Sequence, residues 1–200
     1  MKTSNGLMVV VALNDASKVM SEHAREVRLR ALDALVRSAR DASQALAGFR
    51  EVSLQMRRWS DDLSTQLTRL RKLSAESVTQ ESSYRTLRRR GRLLAEAALQ
   101  SGNAELKQRL ELYRQRERAA QQERNKRLAA TAQELDDLRQ LGLMAIVLSR
   151  TAMIEASSAN PRDRAVLSSV ALEFGNHADA VLQLGKTLLP MAVSARQEAA

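Results

Sequence analysis

The chain has 200 residues, a net charge of +9, 44% hydrophobic but only 2% aromatic side chains, seven glycines, two prolines and no cysteine. That composition excludes disulfides, thiolate metal sites and cysteine nucleophiles, and it denies a sheet the aromatic and turn residues it would need. The remaining abundance of Ala, Leu, Arg, Glu and Gln is that of long helices, so the expected fold class is all-α: an elongated antiparallel helical bundle made of coiled-coil hairpins, one domain over 1–200.

Charge is unevenly spread along that length. Residues 1–80 carry +4, residues 81–140 carry +5, and residues 141–200 are neutral. A basic, solvated first two-thirds therefore leads into an apolar, uncharged end.

In chain order, "LMVVVAL" (Leu7 to Leu13) comes first. After Lys2 it has the look of a short signal-peptide core, but no small-x-small cleavage site follows, so it reads as the first buried turn of a helix. No run reaches the ~18 apolar residues a spanning helix needs. With no cysteine either, a cytoplasmic location is expected.

The first helix is expected from about Val9 to Ala47, with Gly48 a weak point, and a second to about Ser74. The second follows the seam Val52, Met56, Trp59, Leu63, Leu67, Leu70 and Leu73, whose steps of three and four share one face. "SAESVTQESS" (74–83) is the expected bend, because Ser and Thr side chains compete for backbone hydrogen bonds. A third segment, "YRTLRRRGRLLAEAALQ", closes the N-terminal helices (1–100) at "SGN" (101–103). There Gly102 suits a left-handed C-cap and Asn103 a helix N-cap.

A long helix follows over 104–159, with a nearly all-polar stem at 114–127 that is expected to protrude or pair loosely. From Leu128 the pattern tightens through Leu135, Leu138, Leu141, Ala145 and Leu148. "NPRD" then restarts the chain: Asn160 as N-cap, Pro161 at the first helical position, Asp163 in the first turn. So short a connection at 158–161 forces an antiparallel hairpin. The last helix, 161–190, has an unbroken heptad seam of Leu167, Val170, Phe174, His177, Val181, Leu184, Leu188 and Met191, and Pro190 is expected to end or kink it.

Few of these residues point to chemistry. His177 on the seam is either a buried switch or a polar residue that specifies register, and His23, beside the Met20–Val27 stripe, reads the same way. Two histidines so far apart in sequence, without carboxylates at ligand spacing, do not make a zinc site. Asp61–Asp62 and Asp136–Asp137 are adjacent, hence about 100° apart on a helix, and read as solvated charges. No phosphate-binding loop, nucleophile elbow or metalloprotease motif occurs, so a non-enzyme without cofactors is expected.

The strongest charge feature is the arginine cluster. Arg85, Arg88, Arg89 and Arg92 share one helical stripe, which reads first as a plain solvated surface, then as a face for an acidic protein and, more weakly for want of base-reading aromatics, for nucleic-acid phosphates.

The stretch "LSRTAMIEASSANPRDRAVLSSVALEF", within residues 146–186, resembles the cytoplasmic signalling hairpin of bacterial chemoreceptors, the methyl-accepting chemotaxis proteins. Leu148, Ala152, Ile154, Glu155, Ala156 and Ala159 match the ascending arm in type, Arg164 falls near the tip arginine, and Val166, Leu167, Val170, Glu173 and Phe174 match the descending arm. The resemblance implies a soluble signalling or scaffolding hairpin that engages a histidine kinase or coupling adaptor, with Glu155, Arg162 and Arg164 as contacts. An alternative is a coiled-coil stalk or chaperone of a type III secretion-like export machine, suggested by "ELKQRLELYRQRERAAQQERNKRL". A homo-oligomer is expected under either reading, because long hairpins leave apolar seam on their outer faces.

Overall fold

The computed structural model describes residues 5–40 and 47–197. Every described element is helical: α1 (Asn5–Arg40), α2 (Ala47–Ser101), α3 (Ala104–Ser157) and α4 (Pro161–Gln197). The all-α antiparallel bundle expected from composition is the fold. α1 packs on α2, α2 on α3, α3 on α4, and α4 back on α1, which closes a ring.

Cross-helix contacts set the direction of each neighbour. Ser60 donates to the Ala24 carbonyl and Arg71 to that of Ser17, so α1 and α2 run antiparallel. Trp59 Nε1 donates to the Leu141 carbonyl at 2.9 Å while Arg127 reaches Glu76, which does the same for α2 and α3. Ser149 donates to the Ala171 carbonyl, and Arg30 pairs with Glu173 at 2.8 Å, completing an up-down-up-down bundle.

The helices are unequal. α1 and α4 have 36 and 37 residues, α2 and α3 have 55 and 54. At 1.5 Å per residue the inner pair is roughly 27 Å longer than the outer pair. The surplus lies at one end, because Val10 near the start of α1 lies level with Glu81, Arg124 and Leu128. Beyond that level, residues 82–122 form a two-helix stem. Its tip turns where the chain was expected to turn: Gly102 has φ +64°, and Asn103 accepts from the Glu105 N–H at 2.8 Å.

Three boundary expectations are corrected. The first helix does not run on to Ala47, since Ala47 already opens α2; residues 41–46 lie outside the described residues. The bend at 74–83 is absent, and α2 is continuous to Ser101. Its hydroxyls bond back four residues within the helix, Ser77 to Leu73, Thr79 to Ala75 and Ser83 to Thr79, so they do not compete with it. Pro190 does not end α4, which continues to Gln197. The two turns it leaves weakened bury Ala192 and Ala195 in the core, and that burial offsets the lost backbone bond.

The core follows the expected seams. Val9, Leu13, Met20 and Val27 of α1 meet Phe49, Met56, Trp59, Leu63 and Leu67 of α2, together with Leu135 and Leu138 of α3. The buried positions Val9, Val10 and Leu13 place "LMVVVAL" as a first packed turn. On α4 the heptad seam does bury Leu167, Val170, Phe174, Val181 and Leu188.

A second seam runs beside it. Ala171, Gly175, Ala178, Leu182 and Gly185 face Gly142, Ala145, Ser149, Ala152 and Ala156 of α3, both rows stepping by three and four. A Cβ on Gly142 would lie 3.0 Å from Leu182 Cβ and 3.1 Å from its Cα, and one on Gly175 would meet the Ser149 hydroxyl. Small side chains thus let α3 and α4 approach more closely than leucines would allow.

Candidate functional site

The stem holds most of the molecule's net charge. Residues 82–122 include ten Lys or Arg and four Glu, a net +6 out of +9 for the whole chain. Its seam is thin: Tyr84, Leu87, Gly91 and Leu94 of α2 face Leu106, Leu110, Tyr113 and Glu117 of α3, each only partly covered, and Ala98 alone among the stem's hydrophobic residues is buried. Two helices cannot cover both flanks of a seam, so the stem's outer surface is set by its charges.

Four of the arginines expected on one stripe divide into two roles. Arg85 pairs along α2 with Glu81 at 3.1 Å, and Arg124 of α3 reaches the same carboxylate at 2.9 Å. Glu81 and Arg124 are 10% and 16% exposed, a desolvated pair at the junction of body and stem. Arg88, Arg89 and Arg92 stay exposed, as does Arg90, with no ion-pair or hydrogen-bond partner among the described residues.

The tip turn brings α3's arginines to the same level. Arg124 lies against Tyr84 and Glu117 opposite Gly91, so Arg114, Arg116 and Arg118 flank Arg88–Arg92 along the stem. The sequence reading treated the two arginine groups separately, although a turn at 101–103 already requires 114–127 to lie beside 81–92. Each stem tyrosine has an arginine against its ring: Arg124 sits 5.6 Å from the Tyr84 ring centre and Arg116 6.0 Å from that of Tyr113.

Two of the residues expected at the opposite tip make contacts within the chain. Glu155 packs its carboxylate over Gly48, where any Cβ would collide with it, at the first turn of α2, an end that favours negative charge. Arg164 donates to the Ala159 carbonyl at 3.1 Å, closing the end of α3. The Arg162 side chain lies outside the described residues. Between them Asn160 caps α4 as its sequence implied, accepting from the Asp163 N–H at 2.9 Å while its amide reaches the Asp163 carboxylate.

Two features went unread in the sequence. Met144, Val147 and Ile154 form a second row on α3, 59%, 64% and 67% exposed, beside a groove of 430 Å³ walled by Trp59, Leu141 and Leu148. The steps of three and seven were visible, but nothing in one sequence says which of two rows on a helix will be covered. The other is the meeting of His23 with His177, from helices at opposite ends of the chain. Among the described residues no group of three or more His, Cys, Asp or Glu is placed to hold a metal ion, and no helix is long and apolar enough to cross a membrane. Comparison with known protein families, characterised proteins and solved structures returns no match to this chain.

Proposed function

We propose that the chain is a non-enzymatic helical scaffold whose basic stem docks onto an acidic protein partner. The observation that carries this reading is the concentration of charge: +6 of the net +9 resides on one projecting two-helix rod, with Arg88, Arg89, Arg90 and Arg92 exposed and unpaired among the described residues. Guanidinium groups held on a stiff helix lose little entropy on pairing with carboxylates, and the excess charge steers an oppositely charged partner toward the rod. A charged projecting rod suits a stalk or adaptor, and it supports the export-machine type of reading over the signalling tip, where Glu155 packs over Gly48 and Arg164 holds the Ala159 carbonyl.

Protein is favoured over nucleic acid as the partner. Single-stranded nucleic acid binds on exposed aromatic faces, and the stem's two tyrosines are each occupied by an arginine. The test is capture from nuclease-treated lysate by the wild-type chain and by an Arg88→Glu/Arg89→Glu/Arg92→Glu variant of equal helicity, with the captured protein then purified and titrated directly. An acidic protein bound by the wild type, lost in the variant and weakened as salt rises from roughly 0.05 to 0.3 M, is expected. Equal capture by both chains overturns the reading, and loss of all capture on nuclease treatment transfers it to nucleic acid.

A second reading has one observation of its own. The exposed row Met144, Val147 and Ile154 runs into the chemoreceptor-like stretch, where a further amphipathic helix from a kinase or adaptor would find apolar contacts. Under that reading Val147→Glu/Ile154→Glu abolishes binding, whereas the stem variant leaves it intact.

A further inference from the structure

His23 lies on the buried stripe of α1, one turn after Met20, and His177 lies on the heptad seam of α4, one turn after Phe174. The antiparallel register of first and last helices brings them together across 154 residues of sequence, with Nδ1 facing Nδ1 at 2.9 Å, ring centres 5.0 Å apart and ring planes at 52°. Two nitrogens at that distance share one proton. One ring carries hydrogen on Nδ1 and the other offers a lone pair there, an arrangement open to a neutral pair or to a pair with a single positive charge. Once both rings are imidazolium, two N–H groups point at each other and no lone pair is left between them.

The surroundings sharpen the conflict. His177 is held below the ordinary 6.5, first by burial and then by the nearby His23; Glu26 and Glu173 push the other way and Arg30 adds to the lowering. Glu26 and Arg30 come from α1 and Glu173 from α4, and Arg30 with Glu173 forms the 2.8 Å ion pair beside the histidines. Both carboxylates are partly exposed, and one is already shared with an arginine, so they only partly offset a second imidazolium.

We propose that His23 and His177 are an acid-sensitive clasp between α1 and α4, closed by a single shared proton and forced open when both rings are charged. The position suits such a device. α2–α3 and α3–α4 are joined by tight turns, while no turn joins α1 to α4, and their side chains hold them together. Opening there uncovers Met20, Val27 and Val181 and moves Phe174, which stands edge-to-face on Trp59 at 5.3 Å.

The sign follows from the lowered value at His177. Above pH 6.5 the closed form has its full stability; as pH falls through 6.5 toward the folded-state value, the open form binds more protons and gains. The opening equilibrium then shifts by up to about tenfold per pH unit for each extra proton taken up. The experiment follows the two histidine ring C–H resonances of the untagged chain by NMR from pH 8 to 5, with Trp59 emission read in parallel. Two coupled steps are expected, one of them below 6.5, and emission should move to the red with the second. The emission change should vanish in His23→Gln/His177→Gln, whose amides keep a neutral hydrogen bond. Independent titration of both rings at their ordinary value overturns the clasp, as does an emission change that persists in the double variant. Should that variant fail to fold, the wild-type titration decides alone.

Discussion

Body and stem are made of the same two helices, α2 and α3, and differ in what surrounds them. In the body, Leu63, Leu67, Leu135 and Leu138 are at most 1% exposed, because α1 and α4 cover the flanks that a pair leaves open. In the stem, Leu93, Leu99 and Leu112 are 59%, 84% and 52% exposed, although the sequence around them is just as helical. Burial belongs to the number of neighbours more than to the residue. The body is consequently a packed solid whose many surface charges nearly balance, and the stem a net-positive rod whose order depends on its attachment to it.

The largest test of that difference is a matched truncation. Leu138→Ala should cost about 3 kcal/mol of unfolding free energy in urea, from lost transfer energy and the cavity left behind, while Leu99→Ala at the stem end should change it by less than about 0.5 kcal/mol. Comparable losses at both sites would mean that the stem is as tightly packed as the body. At the junction, Glu81→Ala should cost about 2 kcal/mol, because it leaves Arg124, only 16% exposed, without its carboxylate. Hydrogen exchange should then show faster opening in 82–122 than in the body.

Two glycines sharpen the comparison by predicting opposite signs. Gly142→Ala in the body forces a Cβ to 3.1 Å from the Leu182 Cα and should destabilise by about 1–3 kcal/mol. Gly91→Ala in the stem meets nothing nearer than the Glu117 carboxylate at 3.8 Å, so helix propensity alone acts, and the stem should gain about 0.5–1 kcal/mol. A lower melting midpoint for Gly142→Ala and slower amide exchange in the stem for Gly91→Ala are the expected results. The smallest effect is Asn103→Ala, which removes a cap worth about 1 kcal/mol at the stem tip. It should accelerate amide exchange around 104–107 and leave the global melting midpoint of the body unchanged.

Much of the fold was legible because helix signals are local. Gly102 and Asn103 turn the chain, and Asn160, Pro161 and Asp163 restart it, through contacts with residues two or three positions away, so a single sequence contains them. The misread bend at 74–83 fails for an equally physical reason. A hydroxyl in a helix can bond back to the carbonyl four residues earlier as readily as it competes with the helix, and the residue types do not say which it does. The candidate site was legible in half. The Arg85–Arg92 cluster was visible, and so was the four-residue spacing that pairs Arg85 with Glu81, but the arrival of Arg114, Arg116 and Arg118 beside it depends on how α3 folds back.

By itself the sequence determined that this protein is helical, where three of its helix ends fall, and that its charge lies in the middle of the chain. Those properties follow from backbone geometry and composition, which act over a few residues. The tertiary structure alone decided which apolar rows are covered, that α3 and α4 close on a seam of glycine and alanine, that Glu155 packs over Gly48, and that His23 meets His177. Each of these depends on surfaces brought together from distant parts of the chain, where the energy of packing is shared among four helices and no single segment carries the information.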